Sequence, residues 1–155
     1  MFEQGNLLYF EPFIFKNGAK PKNKYMVVLG KDIDGNMILA SLPTSKDHVP
    51  GDMEVNGGCL ELPDRQVNVF VFPANTNVAY SCDGDAFSFR VNTFIYGSDL
   101  DTYPVTAFMQ QVTERITKVS VLGKLTDEYM CSLIDCLKKS RMVKNKYKHL
   151  LTSVI

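Results

Sequence analysis

Short runs in which apolar and polar positions alternate recur along most of the chain, and this is the pattern of half-buried β-strands. It is clearest at residues 87–96, where Phe87 and Phe89 alternate with Ser88 and Arg90. Other apolar runs are bounded by Gly, Pro, Asn and Asp, and they predict strands at residues 6–15, 25–29, 36–42, 59–62, 67–72 and 119–122. The pattern therefore predicts a mainly β fold.

Turn signals indicate how the first predicted strands connect. Pro12 lies inside the first run, so a bulge or an edge position is expected there. The sequence Asp32-Ile-Asp-Gly35 separates the second and third runs and predicts a β-hairpin between them. The polar, lysine-rich residues 16–24 predict an exposed loop. Residues 105–116 fit either a strand or a short helix.

The clearest element is an amphipathic C-terminal helix, predicted over about residues 126–142 of a single domain spanning residues 1–155. Thr126 is the expected N-cap, and acidic residues follow it in the first turn, where the helix dipole favours them. Leu125 and Met130 occupy the positions of a hydrophobic staple. Short strands followed by one helix predict a small β-barrel, an α+β variant of the mainly β class, with its helix packed on the sheet. The apolar face of that helix consists of Met130, Leu133, Ile134 and Leu137.

The charge of the whole chain is balanced, with 17 Lys and Arg against 17 Asp and Glu. A neutral chain is not attracted to nucleic acid as a whole, so RNA binding would need a local basic patch. No acidic residue follows Asp135, and the last stretch is basic. A solvated helix face and a phosphate-contacting arm both fit that pattern. The basic residues concerned are Lys138, Lys139, Arg141, Lys144, Lys146 and Lys148.

Four cysteines lie at wide spacings without a CxxC pair, which disfavours a zinc site: Cys59, Cys82, Cys131 and Cys136. Cys131 and Cys136 are five positions apart on the predicted helix and project to different faces, so they are not expected to pair. Mostly buried, free thiols in a reducing compartment are the expectation.

The N-terminus does not resemble a signal peptide, and no run approaches the roughly 18 apolar residues of a membrane span. A cytoplasmic protein without membrane association is expected.

Motifs of several common enzyme classes are missing from the sequence. There is no GxSxG, P-loop or HExxH, so serine-hydrolase, nucleotide-binding and zinc-protease functions have no motif support. The sequence Cys82-Asp-Gly-Asp85 resembles a fragment of a calcium loop without the remaining ligands, and it predicts a turn.

Two stretches near the ends of the chain, within residues 1–45 and 121–155, follow a recognisable order of motifs. The first contains Gly5-Asn-Leu-Leu-Tyr-Phe-Glu-Pro-Phe13, a basic loop, Asn23-Lys-Tyr-Met-Val-Val-Leu29 and Ile38-Leu-Ala-Ser-Leu-Pro-Thr-Ser45. The second is Leu122-Gly-Lys-Leu-Thr-Asp-Glu-Tyr-Met130, which introduces the helix. Together they resemble the MazF/PemK-type (Kid, CcdB-like) toxin family.

This resemblance implies an SH3-like small β-barrel with a C-terminal helix that forms a homodimer. It implies an endoribonuclease of a toxin–antitoxin system, which cleaves single-stranded RNA through the neighbouring ribose 2′-OH without a metal or other cofactor. An antitoxin protein would be its partner. A gyrase-poisoning barrel would share the fold, but it would need a C-terminal end docked into the gyrase cleft, which the basic tail does not obviously provide.

The family's active-site pair is an Arg at the end of the first loop and a Thr after the third strand. By position the resemblance assigns these roles to Lys24 and Thr44, with Tyr25 in place of the family's Pro. Lys is a point charge, whereas Arg offers a planar fork of donors, so the replacement is not conservative. His48 lies in the same loop as Thr44 and is the candidate general acid or base, because the ordinary imidazole pKa is about 6.5.

Further residues near this predicted site have side chains suited to RNA. Phe13, Phe15 and Tyr25 offer faces for base stacking, or they fill the barrel core. The alternative to catalysis is an inactive barrel that binds protein or nucleic acid, because Lys replaces the family's Arg and residues 49–112 look longer than in typical members. The predicted RNA-binding residues are Lys20, Lys22, Ser45 and Lys46.

Overall fold

The structure is a computed structural model, and it describes residues 1–44 and 56–151. Ten strands and three α-helices lie within these residues. The strands are β1 (Asn6–Phe13), β2 (Lys22–Lys31), β3 (Asn36–Ser41), β4 (Gly58–Leu62), β5 (Val67–Phe72), β6 (Asn77–Tyr80), β7 (Ala86–Ser88), β8 (Thr93–Tyr96), β9 (Asp101–Pro104) and β10 (Lys118–Leu125). The helices are α1 (Val105–Thr113), α2 (Asp127–Lys138) and α3 (Asn145–Lys148).

The strands form two antiparallel sheets. The larger sheet has seven strands in the order β7-β6-β10-β1-β2-β3-β9, and the smaller has three in the order β4-β5-β8. The mainly β class predicted from the pattern is confirmed. Within the described residues these strands make two separate sheets and do not close into one barrel.

The predicted features of the first three strands are confirmed. The register between β1 and β2 shifts between Phe10 and Phe13, so Pro12 marks a bulge inside the sheet and not an edge. Strands β2 and β3 pair as a hairpin. The Asp32 carboxylate holds their turn by accepting hydrogen bonds from the Asn36 side chain at 3.0 Å and the Asn36 backbone at 2.9 Å. The Asn36 side-chain amide is the main reason why the pKa of Asp32 is lowered, since these bonds favour the ionised carboxylate.

The main apolar core contains side chains from both sheets and from α2. Phe70 and Phe72 contribute from β5, and Leu133 and Leu137 contribute from the helix. A second cluster includes Phe10 and Phe13 of β1 and Phe108 of α1. Apolar burial on this scale is the dominant favourable term in folding, and it fixes the two sheets and the helices relative to one another.

Helix α2 begins as predicted and ends earlier than predicted. The Thr126 hydroxyl accepts a hydrogen bond from the Tyr129 backbone N–H at 3.2 Å, which confirms the N-cap. The predicted apolar face is buried. The helix stops at Lys138 and not near residue 142. The Ser140 hydroxyl accepts a hydrogen bond from the Met142 backbone N–H at 3.0 Å, and this local bond competes with helical pairing. No helix in the described part of the chain is long and apolar enough to span a bilayer.

Several predicted boundaries were wrong, and one segment that fitted two interpretations is a helix. Residues 87–96 were predicted as one strand but belong to two strands in different sheets, β7 and β8. The chain turns between these strands, and Val91 in this connection is 54% exposed. Residues 105–116, which fitted either a strand or a helix, contain the helix α1. The predicted exposed loop 16–24 ends earlier, since β2 already begins at Lys22. Strands β6 and β9 were not predicted.

The expectation that all the cysteines are free thiols was wrong. Cys59 of β4 and Cys136 of α2 form a disulfide, with their Cα atoms 5.6 Å apart. Helix α2 packs on β4 and β5, and this packing brings together two cysteines 77 positions apart. Cys82 and Cys131 remain thiols, and Cys131 does not pair with Cys136, as expected.

Candidate functional site

A cleft of about 280 Å³ opens between the end of β3 and the chain that connects β7 to β8. Its walls combine aromatic rings, hydroxyl groups and one guanidinium. The lining residues are Tyr25, Leu42, Thr44, Phe87, Ser88, Phe89, Arg90, Val91 and Thr93.

One wall of the cleft is positioned by the backbone that leaves β3. The Leu42 N–H donates to the Tyr25 carbonyl at 3.1 Å, and the Phe94 N–H donates to the Pro43 carbonyl at 2.9 Å. The first bond continues the pairing with β2, and the second ties this segment to β8 of the other sheet. Thr44 therefore reaches the cleft from a backbone that is held on both sides.

The opposite wall is the connection between β7 and β8, which carries Arg90. The Asn75 N–H donates to the Phe89 carbonyl at 2.7 Å, and the Ala74 N–H donates to the Asn92 side-chain oxygen at 2.9 Å. Phe89 is buried, with its ring centroid 5.1 Å from that of Phe87. These contacts on both sides of Arg90 fix the backbone from which the exposed guanidinium projects.

The cleft has positive and aromatic character. No carboxylate in the described residues lines it or pairs with Arg90. The Arg90 guanidinium and the Thr44 hydroxyl are both hydrogen-bond donors suited to phosphate oxygens. Tyr25 is 43% exposed, and its ring centroid lies 4.5 Å from that of Tyr9. Exposed aromatic faces of this kind stack on unpaired bases.

Lys24 does not share this cleft with Thr44. Successive side chains of a strand point to opposite faces, so Lys24 lies on the other side of β2 from Tyr25. It lines a separate cavity of about 220 Å³ together with Asp99, Asp101 and Tyr103. The two residues that the resemblance assigns as an active-site pair thus line different cavities.

The remaining predicted residues are distributed as follows. Lys20 and Lys22 are exposed, just before β2 and at its start. Ser45, Lys46 and His48 lie outside the described residues, immediately along the chain from Thr44. Phe13 and Phe15 pack in the second apolar cluster. Tyr25 is the one predicted stacking residue that lines the cleft.

Sequence reasoning missed Arg90. The residue stands in the alternating run of residues 87–96, where it appeared as the polar face of a half-buried strand. That run lies within residues 49–112, which the family resemblance does not cover. A signal was nevertheless present, since Arg90 follows Phe87 and Phe89, and sites that bind single-stranded nucleic acid combine cations with aromatic stacking faces.

Within residues 1–44 and 56–151, no three His, Cys, Asp or Glu side chains gather as a metal-binding group. Comparisons of the chain with protein-family models, with curated proteins and with solved structures found no match. The cleft itself must therefore indicate what the protein does.

Proposed function

We propose that the protein is an endoribonuclease that binds single-stranded RNA in this cleft and cleaves it without a metal, through the neighbouring ribose 2′-OH. The observation that carries the proposal is the presence of Thr44 and Arg90 in one cleft with Tyr25, Phe87 and Phe89. A hydroxyl and a guanidinium suit a phosphate, and the rings beside them suit the adjoining bases.

The reaction makes defined demands on such a site. The 2′-oxygen attacks phosphorus and loses its proton to a base, the bond from phosphorus to the 5′-oxygen breaks, and an acid returns a proton to that oxygen. The products are a 2′,3′-cyclic phosphate and a 5′-hydroxyl. Charge accumulates on the non-bridging oxygens in between, and donors placed there in advance stabilise it. In this proposal Arg90 and Thr44 are those donors.

Arg90 thereby replaces Lys24 in the role that the family gives to its arginine. A planar guanidinium presents a fixed fork of donors that matches two phosphate oxygens, whereas the Lys24 ammonium acts as a point charge. The proposal keeps the toxin family as the framework: an SH3-like barrel plan, a homodimer, and an antitoxin segment that covers the cleft. It changes the residue that supplies the cation.

Proton transfer is assigned to His48. His48 is the fourth residue after Thr44, and four residues of fully extended chain span at most about 14 Å, so the covalent chain limits the distance between the two residues. An imidazole titrates close to neutral pH and can serve as the base for the 2′-OH or the acid for the leaving oxygen.

Binding without cleavage is the second candidate function. The described lining of the cleft has no imidazole and no carboxylate to move a proton. If His48 does not supply that group, the same rings and donors would make an RNA-binding module and not an enzyme.

The test is cleavage and binding of a long single-stranded RNA in the presence of EDTA. We expect discrete fragments that end in cyclic phosphate. Arg90→Gln should reduce the rate on the order of 10²-fold, the usual effect of losing one donor to the transition state. Lys24→Gln should leave the rate unchanged, and so should Arg115→Gln, a matched control at an exposed position just after α1.

The other outcomes separate the candidates. The binding module would be favoured if the wild-type protein binds RNA through Tyr25 and Arg90 but does not cleave it. In that case His48→Ala should bind RNA like the wild type. Cleavage that is lost in Lys24→Gln and kept in Arg90→Gln would contradict the assignment of Arg90. An inert protein that neither binds nor cuts RNA would overturn the proposal.

A further inference from the structure

The charge of this neutral chain is unevenly distributed. Residues 1–137 carry 17 acidic and 11 basic side chains, whereas residues 138–155 carry six basic and no acidic ones. The net charge is therefore −6 before residue 138 and +6 after it. The six basic residues, here called the basic tail, are Lys138, Lys139, Arg141, Lys144, Lys146 and Lys148.

The fold presents the basic tail to solvent. Val143, Tyr147 and Leu151 are buried in the main core and anchor this segment. Five of the six cations are exposed, and the sixth, Lys148, is partly exposed. Ion pairs would neutralise such a surface, but none of the six is paired with a carboxylate of the described residues.

The chain that follows α3 lies against the end of β2. The Leu150 carbonyl lies so close to Gly30 that a Cβ there would be 3.1 Å from its oxygen. Lys31, His149 and Leu150 line one cavity of about 390 Å³ at the end of β2, together with the carboxylate of Glu3. Tyr25 is six residues from Lys31 along this strand, or about 20 Å at the usual rise per residue. The chain just after α3, the helix that carries Lys146 and Lys148, thus lies several nucleotides of RNA from the cleft.

We propose that the basic tail is a second RNA-binding surface, which contacts phosphates of the single strand beyond the cleft. This inference rests on the proposed function, because the strand held by the tail is the one whose bases enter the cleft. Phosphates spaced along a strand match separated lysines that act as point charges, and such contacts need no base recognition.

The chemistry of the segment favours RNA over a membrane surface. Helices that bind membranes insert large apolar side chains beside their cations. The exposed large apolar residues of the described chain all lie outside residues 138–151. The one residue of α3 with a large apolar side chain, Tyr147, is buried in the core, so the exposed face of this helix offers charge alone.

The test measures how RNA binding depends on salt. For single strands, each phosphate contact adds about 0.7 to the steepness of log K against log salt. The variant Lys144→Gln/Lys146→Gln/Lys148→Gln keeps the buried anchors and should lower that steepness by about 2 on a long single strand. Binding of a trinucleotide that fills only the cleft should be unchanged.

The matched control removes three exposed cations elsewhere, Arg115→Gln/Lys118→Gln/Lys124→Gln, and so changes the net charge equally. It should lower the steepness much less. Equal effects of the two triple variants would overturn the proposal, since only net charge would then matter. An unchanged slope in the tail variant would also overturn the proposal. So would a tail variant that loses binding to anionic lipid vesicles but binds RNA like the wild type.

Failure of the cleft and failure of the tail give different results. If Tyr25→Ala and Arg90→Gln leave trinucleotide binding unchanged, the cleft assignment fails. If the tail variant leaves the slope on long RNA unchanged, the tail assignment fails. Circular dichroism and thermal melting of each variant confirm that the fold is retained, and a protein that binds no RNA overturns both.

Discussion

At the scale of single residues, the cavity that contains Lys24 joins distant parts of the chain. Lys16 donates to the Asp101 carboxylate at 3.0 Å and to the Thr102 carbonyl, and its ammonium lies 4.3 Å from the centroid of the Tyr103 ring. Tyr103 packs edge-on against Phe13. Burial, and then the negative charges of Asp101 and Tyr147, raise the pKa of Tyr103 from 10.0 to about 12.

This raised pKa predicts a loss of stability at high pH. The folded state holds the phenol proton more tightly than the unfolded state, so its stabilising effect is complete below pH 10 and is lost as the pH rises towards 12. Tyr103→Phe cannot ionise and should reduce that loss. Urea unfolding at several pH values measures the difference, and tyrosinate absorbance reports the titration directly.

The matched control is Tyr80→Phe, an exposed tyrosine of β6 outside this cavity. It should keep the alkaline loss of the wild-type protein. A Tyr103→Phe variant whose stability falls as steeply as that of the Tyr80→Phe protein would contradict the role of Tyr103.

Strand geometry decides which predicted site residues reach the cleft. Thr44 and Tyr25 could be predicted from the sequence, because they belong to the stretch that resembles the toxin family. Lys24 is adjacent to Tyr25 in sequence, but an offset of one residue along a strand moves a side chain to the other face. Arg90 was missed, because it comes from a connection between strands of different sheets and looked like a polar position within one strand.

At the scale of elements, the best prediction was the start of α2. Its N-cap, acidic first turn and apolar face are local features, each readable within a few residues. Its end was overestimated, because Ser140 also donates to the Glu61 carboxylate at 3.3 Å, a tertiary contact with no local sequence signal. The short strands β6 and β9 were missed for a similar reason, since they form by pairing and contain turn-type residues.

Loss of the Thr126 cap should destabilise the protein by about 1 kcal/mol, since an N–H at the helix start would lose its partner. Thr126→Ala makes this change, and Thr126→Ser retains the hydroxyl and should restore most of the stability. Urea unfolding gives the free energies. Thr113→Ala is the control, because its exposed hydroxyl only donates back to the Met109 carbonyl at 2.8 Å. Equal stabilities of the Ala and Ser variants at Thr126 would contradict the cap.

At the scale of the whole molecule, the two sheets are joined by the main core and by a cross-link through α2. The Cys59–Cys136 disulfide ties β4, an edge strand of the small sheet, to the helix. Nearby, the Asn68 side chain donates to Glu61 at 2.7 Å. The β-strand runs predicted the class of the fold, but neither the division into two sheets nor the cross-link is encoded locally.

Removal of this cross-link should lower the free energy of unfolding by about 2–4 kcal/mol, because the reduced unfolded chain gains the freedom of a long open loop. Cys59→Ala/Cys136→Ala makes the change without placing a hydroxyl in the buried Cys136 site, and guanidinium unfolding measures it. A dithiol reductant should shift the wild-type protein towards the double variant and leave the variant itself unaffected. Cys82→Ala, at an exposed thiol, is the control and should unfold like the wild type in both conditions. A wild-type protein whose unfolding does not respond to the reductant, together with a double variant of unchanged stability, would show that the two cysteines do not cross-link the fold in solution.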